Sequence, residues 1–148
     1  MRVNENWLRE WVNPAINMHQ LANTLTMAGL EVDSVEPAAP FFSGVVVAKI
    51  VKVTPHPDAK KLHICNIDDG SGELFSVICG ANNVCEGLVV AFAKVGAILP
   101  GNLKIEAKTL RGMESFGMLC SVSELGLAES SQGILELTEE YELGVNVY

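Results

Sequence analysis

Beyond residue 40, no interval between apolar, β-rich runs is long enough to hold a crossover helix, and this limits the fold more than any other feature of the chain. Val45 to Thr54 reads as one long strand. Leu62 to Ile67 and Leu74 to Ile78 read as two more, with the turn chemistry of Asp68-Asp69-Gly70-Ser71-Gly72 between them. Leu88 to Ala93, Leu103 to Ile105, Met118 to Val122 and Ile134 to Leu137 complete the set, with a tight turn at Leu99-Pro100-Gly101. Parallel neighbours need connections of about a dozen residues or more, so these runs predict antiparallel pairing and a small barrel.

The first forty residues differ in character, and Pro37-Ala38-Ala39-Pro40 reads as a linker that ends them. Trp7, Leu8 and Trp11 fall at helical spacing before Asn13-Pro14 stops the turn. Asn17 is placed to cap a second helix, with Met18, Leu21, Ala22 and Leu25 as its apolar stripe and Gly29 as its stop. An extended stretch through Leu30, Val32 and Val35 follows. The tryptophans read as core anchors rather than ligand contacts, yet so short a segment cannot bury them unaided. An apolar face is therefore expected to stay partly exposed here. The expected fold class is mainly β, a barrel over residues 41–148 preceded by a small α/β segment over residues 1–40.

A length of 148 residues suits one such domain with an appendage, and nearly half the residues are hydrophobic, which excludes a disordered chain. The most apolar run, Val45 to Val53, is broken by Lys49 and Lys52, so no membrane span is expected, and nothing near Met1 resembles a secretion signal. Those readings point to the cytoplasm. Cys65, Cys79, Cys85 and Cys120 form neither a C-x-x-C pair nor zinc-ribbon spacing, so they read as structural thiols, small buried hydrophobes, and no metal site is expected. The net charge of −8 argues against a nucleic-acid partner until its distribution is considered. Eight Lys and Arg face six acids between Val45 and Arg111, whereas the residues after Arg111 carry seven Glu and no base. That pattern permits one basic face on an acidic body.

The chain carries no Walker loop, no G-x-G-x-x-G after a strand and no H-E-x-x-H, so no catalytic residue is nominated. Three separated segments are more informative. They are His56-Pro57-Asp58-Ala59-Lys60-Lys61-Leu62, then Ile78-Cys79-Gly80-Ala81-Asn82-Asn83, then Leu110-Arg111-Gly112-Met113-Glu114-Ser115-Phe116-Gly117-Met118-Leu119-Cys120-Ser121. In this order, joined by Val95-Gly96-Ala97 and Leu99-Pro100-Gly101, they resemble the tRNA-binding domain family over about residues 41–148. The resemblance implies an OB-fold barrel and tRNA as partner. The first segment departs from the family's common His-Pro-Asn-Ala-Asp-Lys-Leu, with charge rearranged at Asp58 and Lys60.

A barrel of this kind offers a curved face that can follow a phosphate backbone. Lys61 and Arg111 are the candidate phosphate partners, and Asn82, Ser115 and Ser121 offer hydrogen bonds to phosphate, 2′-hydroxyl or base edges. Met118 could pack against an exposed base or ribose. Each has a structural alternative: Asn82 satisfying a turn, Ser115 capping a strand end, Met118 in the core. Gly112 and Gly117 read as backbone requirements. Aromatic residues suited to stacking are sparse, which weakens any expectation of tight sequence-specific single-strand binding.

Trp7-Leu8-Arg9-Glu10-Trp11-Val12 and Leu25-Thr26-Met27-Ala28-Gly29-Leu30-Glu31-Val32 are similar to the opening of bacterial phenylalanyl-tRNA synthetase β subunits. That resemblance implies an excised piece of a longer subunit with no catalytic centre or cofactor of its own. It also implies ATP and magnesium bound elsewhere in the enzyme, and an α subunit and the rest of the β subunit as partners in an α2β2 heterotetramer. Two other readings stay open: a protein-binding scaffold OB domain, favoured by the net charge, and a free-standing homodimeric tRNA-binding protein.

Overall fold

A computed structural model describes residues 1–37, 39–138 and 140–148. The chain divides into two units, Met1–Ala38 and Ala39–Tyr148. Ala38, in the linker read at Pro37–Pro40, lies outside the described residues.

The first unit holds α1 (Glu5–Trp11) and α2 (Met18–Met27). Asn4 caps α1 by accepting from the N–H groups of Asn6 and Trp7. Arg9 pairs with Glu5 at 2.8 Å and donates to the carbonyls of Pro14 and Ile16, tying down the connection to α2. Asn17 and Gln20 form a reciprocal capping box at the start of α2. At its end Leu30 N–H bonds the Leu25 carbonyl and Gly29 N–H the Thr26 carbonyl, which together satisfy two carbonyls of the last turn. Trp7 and Trp11 are 56% and 77% exposed, so these helices leave the expected apolar face open.

The second unit is antiparallel β. Its strands are β1 (Ser43–His56), β2 (Ala59–Asp68), β3 (Leu74–Cys79), β4 (Val89–Leu99), β5 (Leu103–Lys104), β6 (Lys108–Leu110), β7 (Met113–Ser115), β8 (Met118–Leu119) and β9 (Glu136–Leu137). The main sheet runs β3-β2-β1-β4-β5, and β8 and β9 also pair with β4. β6 and β7 make a separate hairpin. No ladder among the described residues closes the main sheet on itself, but β7 meets the β3 edge: Phe116 N–H bonds the Ser76 carbonyl at 2.8 Å.

The uninterrupted burial of Val89 to Ala93 follows from a strand covered on both faces. Val90 and Phe92 join one core cluster with Ile50, Ile67 and Val77, while Ala91 and Ala93 join another with Val45, Leu99 and Leu125. Alternate side chains of one strand thus serve opposite cores. β4 runs on to Leu99, past the end expected at Ala93, because the chain through Gly96 stays paired, with Gly96 N–H on the Ile105 carbonyl. The strand expected over Met118 to Val122 stops at Leu119. Ser121 and Glu124 form a reciprocal cap there that turns the chain, with Leu125 N–H on the Ser121 carbonyl.

Cys65 and Cys120 are fully buried, and burial pushes both thiols up to about 12, so they are packed as neutral groups. Cys79 is half-buried, whereas Cys85 is exposed, against the expectation that it would be buried.

Asp69 is a buried acid. Burial alone would push its carboxyl up, but the Lys94 ammonium and the Ser71 bonds hold it below the usual carboxylate value. A folded-state value below the unfolded one contributes stability above the ordinary carboxylate pKa of about 3.9, lost as pH falls through the folded value. Lys94→Met should therefore destabilise the chain at neutral pH by about 1–3 kcal/mol, less than for a fully buried pair because the Lys94 side chain is 41% exposed. Urea unfolding at pH 7 and at successively lower pH should show the penalty shrinking as pH falls through the lowered folded-state value and Asp69 takes up a proton. An equal penalty throughout would rule the ion pair out as its cause.

Candidate nucleic-acid interface

The first motif builds a tight hairpin. β1 and β2 pair down to His56 opposite Ala59, leaving Pro57 and Asp58 as the turn and Lys60 and Lys61 exposed just after it. His56 is itself buried, although it sits at the strand end. Its Nδ1 accepts from Asp58 N–H at 3.1 Å, which leaves Nε2 to donate to the Leu110 carbonyl at 3.4 Å. One imidazole thus pins the first motif to the start of the third.

The third motif begins as the β6–β7 hairpin, with Leu110 opposite Met113 and Arg111-Gly112 as its two-residue turn. Both turn residues have positive φ, 51° and 82°, the signature of a type I′ turn whose twist suits a hairpin. Such turns favour Asn, Asp or Gly at the first position; an arginine there costs on the order of 1 kcal/mol. Arg111 is exposed at this tip, next to the carbonyl that His56 holds. Lys60, Lys61 and Arg111 thus lie on the two hairpins that His56 joins, and neither they nor Lys108 join an ion pair among the described residues. Lys94, counted with them in the sequence, is committed to Asp69.

The remaining candidates divide. Ser115 is buried, and its Oγ accepts from Ile78 N–H at 3.0 Å while donating to the Gly117 carbonyl at 3.3 Å. Ser121 is also buried, its hydroxyl donating to Glu124 Oε2 at 2.7 Å. Both hydroxyls thus make hydrogen bonds within the fold, the strand-end role already available to Ser115 in the sequence. Asn82 is exposed with no side-chain hydrogen bond among the described residues, and its neighbour does the structural work. Asn83 accepts from Ile134 N–H and donates to the Ile134 carbonyl, each at 3.0 Å. Met118 is half-buried against the core.

Met118 and Ser121 come together in a cleft of about 310 Å³, lined also by Ile78, Gly80, Glu124 and Ile134. Gly80 lies against Leu62 and the Lys61 carbonyl, so the cleft adjoins the basic end. Sequence reasoning missed His56 as the pin and Glu124 as the cap. The Ser121-x-x-Glu124 spacing was the available signal for the second.

Residues 45–146 match the family model described as "Putative tRNA binding domain". Among curated relatives, the chain is 54% identical to the phenylalanine–tRNA ligase β subunit of Bordetella parapertussis over 99% of its own length. It is 56% identical to that of Aliivibrio fischeri over the same share. The chain spans about 18% of the length of these relatives. Among solved structures, a MetRS-related protein from Pyrococcus horikoshii superposes with a TM-score of 0.52 at 23% identity, covering 70% of this chain and 88% of that one. This last likeness concerns the fold alone.

Proposed function

Since the chain belongs to the tRNA-binding domain family and is homologous across nearly its whole length to part of phenylalanine–tRNA ligase β subunits, we propose that its β unit docks the tRNA backbone as an accessory site of that enzyme. Lys61 and Arg111 contact phosphate, Asn82 adds a hydrogen bond and Met118 an apolar contact, while Ser115 and Ser121 position the segments that carry them. Residues 41–148 act as an OB-fold barrel, with the β6–β7 hairpin laid along β3 to complete its wall, and residues 1–40 as a separate segment. In the whole enzyme, phenylalanine is joined to its tRNA with ATP and magnesium bound outside this chain, by an α2β2 assembly with the α subunit in the cytoplasm.

Arg111 carries this reading. A long cation occupies a left-handed turn position that asparagine would fill at lower cost, and a local cost kept in a fold points to a role for the side chain. The position is exposed, on a hairpin that His56 ties to the one carrying Lys61, so that role is directed outward. Its match is a phosphate chain, against which each contact adds about one to the salt slope of binding.

The test is Lys61→Gln combined with Arg111→Asn. Melting should stay the same or rise, because Asn suits the turn, while tRNA affinity falls and the slope of log K against log salt flattens by about 2. Unchanged tRNA binding in a folded double variant would remove this end of the unit from the interface.

A further inference from the structure

Residues Lys108 to Glu114 are all exposed, and among the described residues a single hydrogen bond outside their own ladder ties them to the rest of the unit. It is the one His56 Nε2 donates to the Leu110 carbonyl at 3.4 Å. The base of this hairpin is held separately, by Ile78 N–H on Ser115 Oγ and by Phe116 N–H on the Ser76 carbonyl. Loss of the His56 bond would therefore release the end that carries Arg111 without unmaking either hairpin.

The turn after His56 suits the imidazole to this task. Pro57 has no N–H, so the first backbone donor beyond the histidine is Asp58 N–H, which lies 3.1 Å from Nδ1. In a neutral imidazole, an acceptor at Nδ1 leaves the proton on Nε2, aimed at Leu110. His56 is buried, so solvent competes little for either nitrogen. Lys61 follows the first turn and Arg111 stands in the second, and the bond between the hairpins fixes one cation relative to the other.

Such fixing decides what the two cations can tell apart. A folded RNA holds its phosphates at set separations, and cations already placed to match need no further ordering on binding. An unstructured RNA must order its own chain whether the hairpins are fixed or loose. Charge alone does not separate the two, because counterion release is blind to shape.

We propose that His56 is a positioning residue that makes the docking site selective for folded RNA, through its bond from Nε2 to the Leu110 carbonyl. The proposal rests on the RNA-docking reading above and assigns its shape preference to a buried side chain.

His56→Asn and His56→Gln divide the two bonds of the imidazole. The Asn carboxamide oxygen stands near Nδ1 and can keep the Asp58 turn, but the side chain is too short for Leu110; the Gln amide reaches the place of Nε2 and can donate there. Fluorescence anisotropy of the chain with deacylated tRNA and with an unstructured RNA of equal length, over a range of salt, gives affinity and slope together. H56N should lose about fivefold of the preference for tRNA, the worth of one ordinary hydrogen bond, with the salt slope for each RNA retained. H56Q should recover most of that preference. A merely structural role would lower the melting temperature of both variants and leave the preference alone. A preference that survives in folded H56N, or an equal loss of affinity for both RNAs, overturns the positioning role and leaves the docking reading standing. No tRNA binding by the wild-type chain at low salt overturns the docking reading and this one with it. Nitrogen-15 NMR of the wild-type imidazole tests the geometry whether or not the variants fold: the proton should reside on Nε2, and a proton on Nδ1 instead would overturn the proposal.

Discussion

Replacing Phe92 with alanine should lower the unfolding free energy of the β unit by about 3–5 kcal/mol, the usual cost of emptying a phenylalanine site in a packed core. Phe92 is fully buried in the middle of β4, opposite Val46 on one side and Leu119 on the other. Its ring lies 5.6 Å from that of Phe75 in a tilted pair, so truncation loses an aromatic contact as well as apolar area. Side chains of β1, β2 and β3 and of the β8 segment share its core cluster. Urea unfolding followed by far-UV circular dichroism would measure the effect. Tryptophan fluorescence would not, because Trp7 and Trp11 both lie in the first unit. A loss below about 1 kcal/mol would mean that this cluster does not hold the sheet together.

Gly117→Ala should be nearly as damaging, at about 3 kcal/mol or more, for the opposite reason. Gly117 has φ 122°, and a Cβ there would stand 2.5 Å from Phe92 Cε2 and 2.6 Å from the Ala93 carbonyl oxygen. Backbone, not a flexible side-chain end, is part of the obstruction, so strain and overpacking add. Gly112 provides the control. It also has positive φ, 82°, but no atom lies within 4 Å of its missing Cβ. Gly112→Ala should cost only about 1–2 kcal/mol, the backbone term alone. Paired denaturation curves test this, and equal losses at the two glycines would show that close approach to Phe92 is not what position 117 requires.

Much of this architecture was legible in local chemistry. Asn17 and Gly29 bound α2 because their side chains, or the lack of one, act within a turn of where they stand. The long first strand and the hairpin at residues 68–72 followed from β-branched runs and turn residues. The β6–β7 hairpin was not legible as strands: each arm has three residues, and its Arg-Gly turn lacks the usual Asn or Asp. The candidate site was legible in part for a related reason. The exposure of Lys61 follows from the adjoining Pro57-Asp58 turn, whereas the commitment of Ser115 depends on Ile78, 37 residues away. Its hydroxyl could not be told from a free one until that pairing was known. His56 is a similar case, joined to Leu110 across 54 residues of sequence.

The central claim is that the basic end of the β unit docks tRNA by its backbone. A titration of deacylated tRNA into the chain at low and physiological salt, with an unstructured RNA of equal length as control, tests it most directly. Saturable binding that prefers tRNA and weakens steeply with salt is the predicted result. Absence of binding even at low salt would contradict the claim and leave the unit as a structural or protein-contacting part.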